Sequence, residues 1–519
     1  ERCTETVGAD SISTPAGGGC APRPIPLERI LPKPPKQTYP AKAPQEPRRC
    51  PLQRQRCGGC PMLGMPYPQQ LAEKQRRAEE LFARLAPVAP ILGAEKPWHY
   101  RNKAIASFTM QRGQLAAGIY AAGTHRVLPL PEAGCLLQAP ILDKTIAAVV
   151  AAARAVRWPA YDEDRGTGLL RHILVRVGVR TGQVMAILVT ASDRLPGSRQ
   201  FVAALRREAP WLTTLIHNHN PRHTSAVLGR DVRVLFGPGS IEDELCGLRF
   251  TITPGSFYQV NHDQTERLYR AAIAAAGLTG GETILDAYCG IGTIGLCAAG
   301  QAGRLIGVEQ TPAAVRAAKA NAAANRVANA QFFCADATAW MRRAAAEGLR
   351  PDVVFLDPPR AGSTPEAIAA IAAMAPRKVI YISCGPESLA RDLQTFARHA
   401  YRPSRFRPVD LFPHTEHVET VVLLSKLKVD HHIEIEIKMD ELDLTAAESK
   451  ATYDEIKAYV LDKYGLKVSQ LYIAQVKRKC GIIERKNYNV SKKEDAKVPQ
   501  CPPEKEAAIM DALKHFQMI

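Results

Sequence analysis

A chain of 519 residues is too long for one hydrophobic core, so several domains are expected. Its 46% hydrophobic and 23% charged residues are ordinary for a globular protein in water; with no export signal and no apolar run of about 18 residues, a cytoplasmic location is expected and a membrane role is not. A formal net charge of +17 favours a polyanionic partner, nucleic acid ahead of an anionic membrane.

The chain begins at Glu1 rather than Met, so the natural N-terminus is expected upstream. Residues 1–49 are rich in Pro and Gly and read as a flexible basic lead. The thirteen cysteines are odd in number and clustered, which argues against a secreted disulfide framework and for a reduced protein. Cys50-x6-Cys57-x2-Cys60, with Cys135, supplies four thiolates, enough for one [4Fe-4S] cluster or for zinc. Within a cluster segment and β-rich central domain over 50–250, the apolar runs 173–179 and 184–189 flank Thr181-Gly182, a hairpin pattern. His217-Asn-His-Asn-Pro-Arg-His223 reads as a solvated loop and not a metal site, having no adjacent acid or cysteine.

Over 251–427 the texture becomes strand and helix in alternation. Short apolar runs at 283–287, 304–308, 353–356 and 379–383 are separated by Ala-rich helical stretches such as 311–324 and 365–374. That pattern is α/β, built of βαβ units around a mostly parallel sheet. Residues 428–519 form a lysine-rich extension with an alternating strand at 433–439. A capping box, Thr445 to Glu448, opens a helix closed by Gly465; a second helix is capped by Ser469 and a third starts at Pro502-Pro503. Lys477-Arg-Lys479 in this helix-turn-helix-like region could grip phosphates, although a solvated charged face is the blander reading.

Chemistry concentrates in the third region. Asp286-Ala-Tyr-Cys-Gly-Ile-Gly-Thr293 places Gly290 and Gly292 after a strand, where a bare backbone can approach a ligand at a helix N-terminus. Glu309 ends the next strand, suited to ribose hydroxyls, and Asp336 follows a third, suited to the adenine end. GxG spacing without Gly-Lys-Ser/Thr favours S-adenosylmethionine over NAD or ATP. Asp357-Pro-Pro-Arg360, Ser383-Cys-Gly-Pro386 and His414-Thr-Glu-His-Val-Glu-Thr420 end or precede further strands, so Asp357, Cys384 and Glu419 are expected on one rim. A cysteine and a carboxylate there suit methylation of uracil carbon 5, which needs thiolate addition at carbon 6 and a base to remove a proton.

With Ser256-Phe-Tyr-Gln-Val-Asn261, these motifs make residues 50 to about 426 resemble the bacterial RNA (uracil-5-)-methyltransferase family. The resemblance implies a class I, Rossmann-like methyltransferase fold and an S-adenosylmethionine site lined by Gln259, Tyr288, Thr293, Glu309, Asp336 and Asp357. Cys384 would be the nucleophile and Glu419 the base. Family members that act on 23S rRNA carry a Cys-x5-Cys-x2-Cys…Cys set holding an iron-sulfur cluster, so Cys50, Cys57, Cys60 and Cys135 imply a [4Fe-4S] cluster and 23S rRNA, at uracil 1939, as substrate. The first gap is one residue longer here. A monomer is expected. A tRNA uracil-5-methyltransferase and a non-catalytic RNA-binding factor that keeps the fold are the alternatives.

Overall fold

The computed structural model describes residues 50–222, 226–427, 453–480 and 501–515. The Pro/Gly-rich lead, the alternating segment 433–439 and the capping box at Thr445 to Glu448 lie outside the described residues. The chain divides into two compact units, residues 1–428 and 429–519.

In the first unit, helix α1 (Tyr67–Phe82) precedes strands β1 (Lys103–Gln111), β2 (Gln114–Tyr120) and β3 (Val127–Pro129). Helix α2 (Pro140–Ala155), β4 (Leu170–Val177), β5 (Val184–Thr190), α3 (Ser198–Glu208), β6 (Leu212–His219) and β7 (Asp231–Phe236) follow. The strands form one sheet in the order β3-β2-β1-β4-β5-β6-β7. The β4–β5 hairpin turns through Gly182 at φ 71°, in the region that favours glycine. Alternation along β1 and β4 buries Ala104, Ala106, Ile173 and Val175 beneath Leu142 and Val149 of α2 and Phe201 of α3. A hairpin of β8 (Ile241–Leu245) and β9 (Leu248–Ile252) covers part of the opposite face, where Leu174, Met185 and Ile187 pack with Ile241 and Phe250. His217 and Asn218 belong to β6 and are buried, so the expected solvated loop is corrected there: His217 Nε2 lies 2.6 Å from Thr190 Oγ1, which satisfies the ring inside the sheet.

The second sheet takes up β10 (Thr283–Asp286), β11 (Arg304–Glu309), β12 (Ala330–Cys334), β13 (Val353–Leu356), β14 (Lys378–Ser383), β15 (Tyr401–Val409) and β16 (Glu419–Lys426). Helices α4 (His262–Ala276), α5 (Thr293–Ala299), α6 (Pro312–Ala324), α7 (Ala337–Ala346), α8 (Pro365–Met374) and α9 (Pro386–Arg398) alternate with them. The strand order is β12-β11-β10-β13-β14-β16-β15; the first five run parallel, while β16 is antiparallel to both neighbours. This is the α/β arrangement that the alternation implied, and it agrees with the class I fold that the resemblance implied.

Helix α1 stands N-terminal to the first sheet but packs on the second. Phe82 stacks on Phe406 with centroids 4.5 Å apart, and Val88 and Leu92 form parallel bridges to Phe406 and Val409 of β15. Those bridges cover the open edge of β15. Lys74 Nζ, buried, bonds Asp410 Oδ1 at 2.6 Å, so an ion pair removed from water fixes the junction.

In the second unit, α10 (Tyr453–Tyr464) ends at Gly465 with φ 66°, and Ser469 caps α11 (Gln470–Lys479) by accepting from the Tyr472 N–H. With α12 (Pro503–His515) they enclose Ile456, Val460, Ile473, Val476 and Ile509. The basic triplet does not form one phosphate-facing surface. Lys477 is 5% exposed and Lys479 is ion-paired to Glu506 at 2.7 Å, because residues two apart on a helix face different ways.

Candidate active site

Five parallel strands deliver their C-terminal ends to one edge of the second sheet. Asp286, Glu309, Asp336, Asp357 and Cys384 all lie at or just past those ends. Because β16 runs the other way, its first residue, Glu419, falls on the same edge. Ser383 pairs with Thr420, so one further step of that register sets Cys384 beside Glu419. The loops carrying Asp357 and Cys384 are also stapled together. Ser388 Oγ donates to the Arg360 carbonyl at 3.1 Å, and Ser363 N–H and Tyr381 O–H both donate to Asp392 Oδ2 at 2.7 Å.

The rim is crowded with acids, and its electrostatics follow from that. Burial, then the charge of Asp357, lifts the Glu419 carboxyl to about 8, against the influence of Arg360. Burial lifts Asp357 to about 7. Burial and the charges of Glu419 and Asp357 push the Cys384 thiol up to about 11, while Arg360 pulls it down. At neutral pH Glu419 is therefore mostly protonated and Cys384 is a thiol. Of the two, only Glu419 titrates near the working range, as an acid–base residue must.

The expected cofactor residues lie mostly along β10 and β11. Asp286 is buried and accepts from Gly295 N–H at 3.1 Å, which anchors the first turn of α5 below the glycine loop. Gly290 has φ 54°, and a Cβ added there would meet nothing within 4 Å, so the loop borders open space. Glu309 Oε1 accepts from Thr311 N–H at 2.8 Å, leaving its second oxygen for a ribose. Thr293 Oγ1 is 2.9 Å from the hydroxyl of Tyr269. Asp336 caps α7 by accepting from Ala339 N–H, so one of its oxygens is committed to the helix. Burial, then the charge of nearby Asp336, raises the phenol of half-buried Tyr288. Gln259 is buried in the loop before α4, where the Asn102 amide holds its carbonyl at 2.9 Å. These residues fit an adenosyl cofactor: an acid for the ribose, a bare glycine loop and polar groups at the adenine end.

Sequence reasoning assigned no role to three further residues. Asp286 was legible as an acid ending a buried strand before a glycine turn. Tyr269, on α4, is brought in only by packing. Phe257 is 65% exposed between buried Ser256 and Tyr258, an aromatic face left bare next to Gln259. Exposed aromatics of this kind stack unpaired bases.

The four expected cluster cysteines sense one another. The Cys60 thiol is pushed up to about 12 by burial first, then by Cys135, Cys57 and Cys50. Cys57 Sγ accepts the Gly59 N–H at 3.4 Å, a bond that favours thiolate sulfur. Among the described residues no three His, Cys, Asp or Glu side chains converge closely enough for a single metal ion. The quartet is tied to the rim through His414, which follows Pro413 at φ 65°. The His414 ring stacks on Trp98 at 3.8 Å, its Nδ1 lies 3.1 Å from Gln70 Nε2, and its carbonyl accepts from Met62 N–H, two residues past Cys60.

Residues 240–427 match the family model described as tRNA (uracil-5-)-methyltransferase. An uncharacterized RNA methyltransferase of Halalkalibacterium halodurans is 39% identical over 381 residues, covering 72% of this chain and 82% of that protein. Another, from Lactiplantibacillus plantarum, is 40% identical over 374 residues, 71% and 81% of the two chains. The solved tRNA (uracil-54, C5)-methyltransferase of Pyrococcus abyssi, in complex with S-adenosyl-L-homocysteine, is similar with a TM-score of 0.58 at 25% identity, covering 73% of this chain and 87% of that one.

Proposed function

Since the chain belongs to the bacterial RNA (uracil-5-)-methyltransferase family and is an S-adenosylmethionine-dependent RNA methyltransferase, we propose that it forms 5-methyluridine by covalent catalysis at Cys384. The observation that carries this reading is the adjacency of Cys384 and Glu419 imposed by the antiparallel β16. The Cys384 thiolate adds to carbon 6 of the uracil, which turns carbon 5 into an enolate carbon. Bound S-adenosylmethionine supplies the electrophilic methyl group at that carbon. Glu419, as carboxylate, then removes the carbon-5 proton, the 5,6 double bond re-forms, and the thiolate of Cys384 is expelled. Phe257 would stack the uracil, and Gln259 and Asp357 would face it and the cofactor. Tyr288, Thr293, Glu309 and Asp336 would hold the adenosyl part.

The substrate we propose is 23S rRNA, at uracil 1939, with Cys50, Cys57, Cys60 and Cys135 holding a [4Fe-4S] cluster. Mutual proximity of the four thiols supports the cluster. No step of the reaction needs it; the cluster would brace the segment that joins the rim through Met62 and His414. Protein prepared without oxygen is expected to contain about four irons and four sulfides per chain. Stoichiometric zinc without iron would overturn the assignment. The similar P. abyssi enzyme is a tRNA methyltransferase, so tRNA is the second reading. Mapping 5-methyluridine in 23S rRNA and tRNA from cells with and without the gene decides between them.

Glu309→Ala is expected to weaken S-adenosylmethionine binding by about 1–3 kcal/mol, the scale of a hydrogen bond to a charged group. Unchanged affinity by calorimetry would mean that the ribose is held elsewhere.

A further inference from the structure

In the first sheet, Lys103 of β1 lies opposite Arg176 of β4, Ile105 opposite Leu174 and Ser107 opposite His172. Their neighbours Ala104, Ala106 and Val175 fill the core under α2 and α3, so Lys103 and Arg176 share the other face. The β8–β9 hairpin covers Leu174 and Met185 there. Toward β1 and β2 the face opens, with Ile105 37% and Tyr120 41% exposed. Arg176 stands at the boundary. It is 7% exposed, yet its Nε and Nη1 have no hydrogen-bond partner among the described residues. Arg101, just before β1, also has a buried Nε without a hydrogen-bond partner among the described residues.

Burial depresses Arg176 to about 10; burial, then the charges of Arg176 and Arg101, depresses Lys103 to about 8. Among the described residues no carboxylate is paired with any of these three cations, although buried charges are normally paired. Asn102, between two of them, bonds the Gln259 carbonyl through its amide and the Val260 carbonyl through its N–H, each at 2.9 Å. That staples the cations to the loop carrying Phe257. The charge of Arg101 reaches His417 of the rim on one side and Cys57, Cys60 and Cys135 on the other.

We propose that Arg176, Lys103 and Arg101 form an anion site for a backbone phosphate of the RNA strand beside the target uridine, with neighbouring nucleotides lying along the open face at Ile105 and Tyr120. The assignment rests on the reading of the rim as a uridine site. A phosphate supplies the acceptor oxygens that the buried guanidinium lacks, and a planar fork is well matched to it.

The test uses full-length Arg176→Met and Lys103→Gln proteins, with a uridine-containing single-stranded RNA oligonucleotide as probe. RNA affinity is expected to fall roughly tenfold or more in each, the scale of a charge-assisted hydrogen bond. The slope of log affinity against log salt should become shallower by about 0.7 for each phosphate no longer neutralised. S-adenosylmethionine affinity should not change, and Lys103→Arg should keep the wild-type slope. Because Arg176→Met removes an uncompensated buried charge, the RNA-free variant should melt no lower than wild type; an arginine that merely supports the fold predicts a lower melting temperature. If Arg176→Met does not fold, partly exposed Lys103 decides alone. Unchanged slopes would overturn the site, as would lost cofactor affinity with intact RNA affinity, which would assign the anion to the carboxylate of S-adenosylmethionine. A wild-type enzyme that binds the probe but methylates no uridine would retire the proposed reaction and leave the phosphate site standing.

Discussion

Cys384→Ala is expected to lower methyl transfer roughly 10⁴- to 10⁶-fold, the scale on which removing a covalent nucleophile lowers turnover. The fold should survive, because Cys384 is only half-buried at a strand end and provides no cap or core packing that alanine lacks. Intact S-adenosylmethionine binding by calorimetry would confirm that. The thiol also has a distinctive titration. With its pKa at about 11, the thiolate fraction grows about tenfold per pH unit from 7 to 10. Iodoacetamide labelling of Cys384 should accelerate accordingly. In Glu419→Gln the labelling should be faster above about pH 8, since the carboxylate that repels the thiolate has been removed. Turnover by Cys384→Ala within tenfold of wild type would sink covalent catalysis at this position.

Glu419→Gln is expected to act later in the reaction. Thiolate attack and methyl transfer do not need a base, but elimination does, so a Cys384–RNA adduct carrying the new methyl group should accumulate and persist on denaturing gels. Steady-state turnover should fall by about 10² to 10⁴, the range for a lost general base. The same substitution has a consequence for stability. Glu419 titrates near 8 when folded, far above the ordinary carboxylate value of about 4.3. A group raised on folding stabilises fully below its unfolded pKa, and that contribution is lost as pH rises through the folded value. Wild type should therefore lose stability between about pH 4 and pH 8, a loss that glutamine avoids. The melting temperature of Glu419→Gln should match or exceed wild type at pH 8.5 and approach it at pH 5. A variant that turns over normally without adduct would show that another group takes the proton.

Much of this site was legible locally. Strand ends, glycine turns and helix starts are short-range events, so Asp286, Gly290, Glu309, Asp357 and Cys384 could be placed at the ends of βα units from the alternation of apolar runs. The Ser469 cap and the glycine stop at Gly465 were legible for the same reason. What each acid does was less so: Asp336 follows its strand as expected but spends an oxygen on capping α7.

Other features depend on which surfaces meet, and no local pattern encodes that. Glu419 reaches Cys384 only because β16 inserts antiparallel beside β14; in a parallel strand its first residue would sit at the far edge. Helix α1 precedes the first sheet in the chain, yet the open edge of β15 claims it. Lys477 reads as a surface charge, but the packing of α11 against its neighbours buries it. Arg176 sits in an apolar run and reads as an ordinary strand residue; only the pairing with Lys103 and the reach of the β8–β9 hairpin leave it buried without a partner. The sequence by itself determined the elements and the chemistry at their ends, because those follow from periodicity and turn residues. Tertiary structure alone decided the neighbours, because strand direction, register and edge covering depend on residues far apart in the chain.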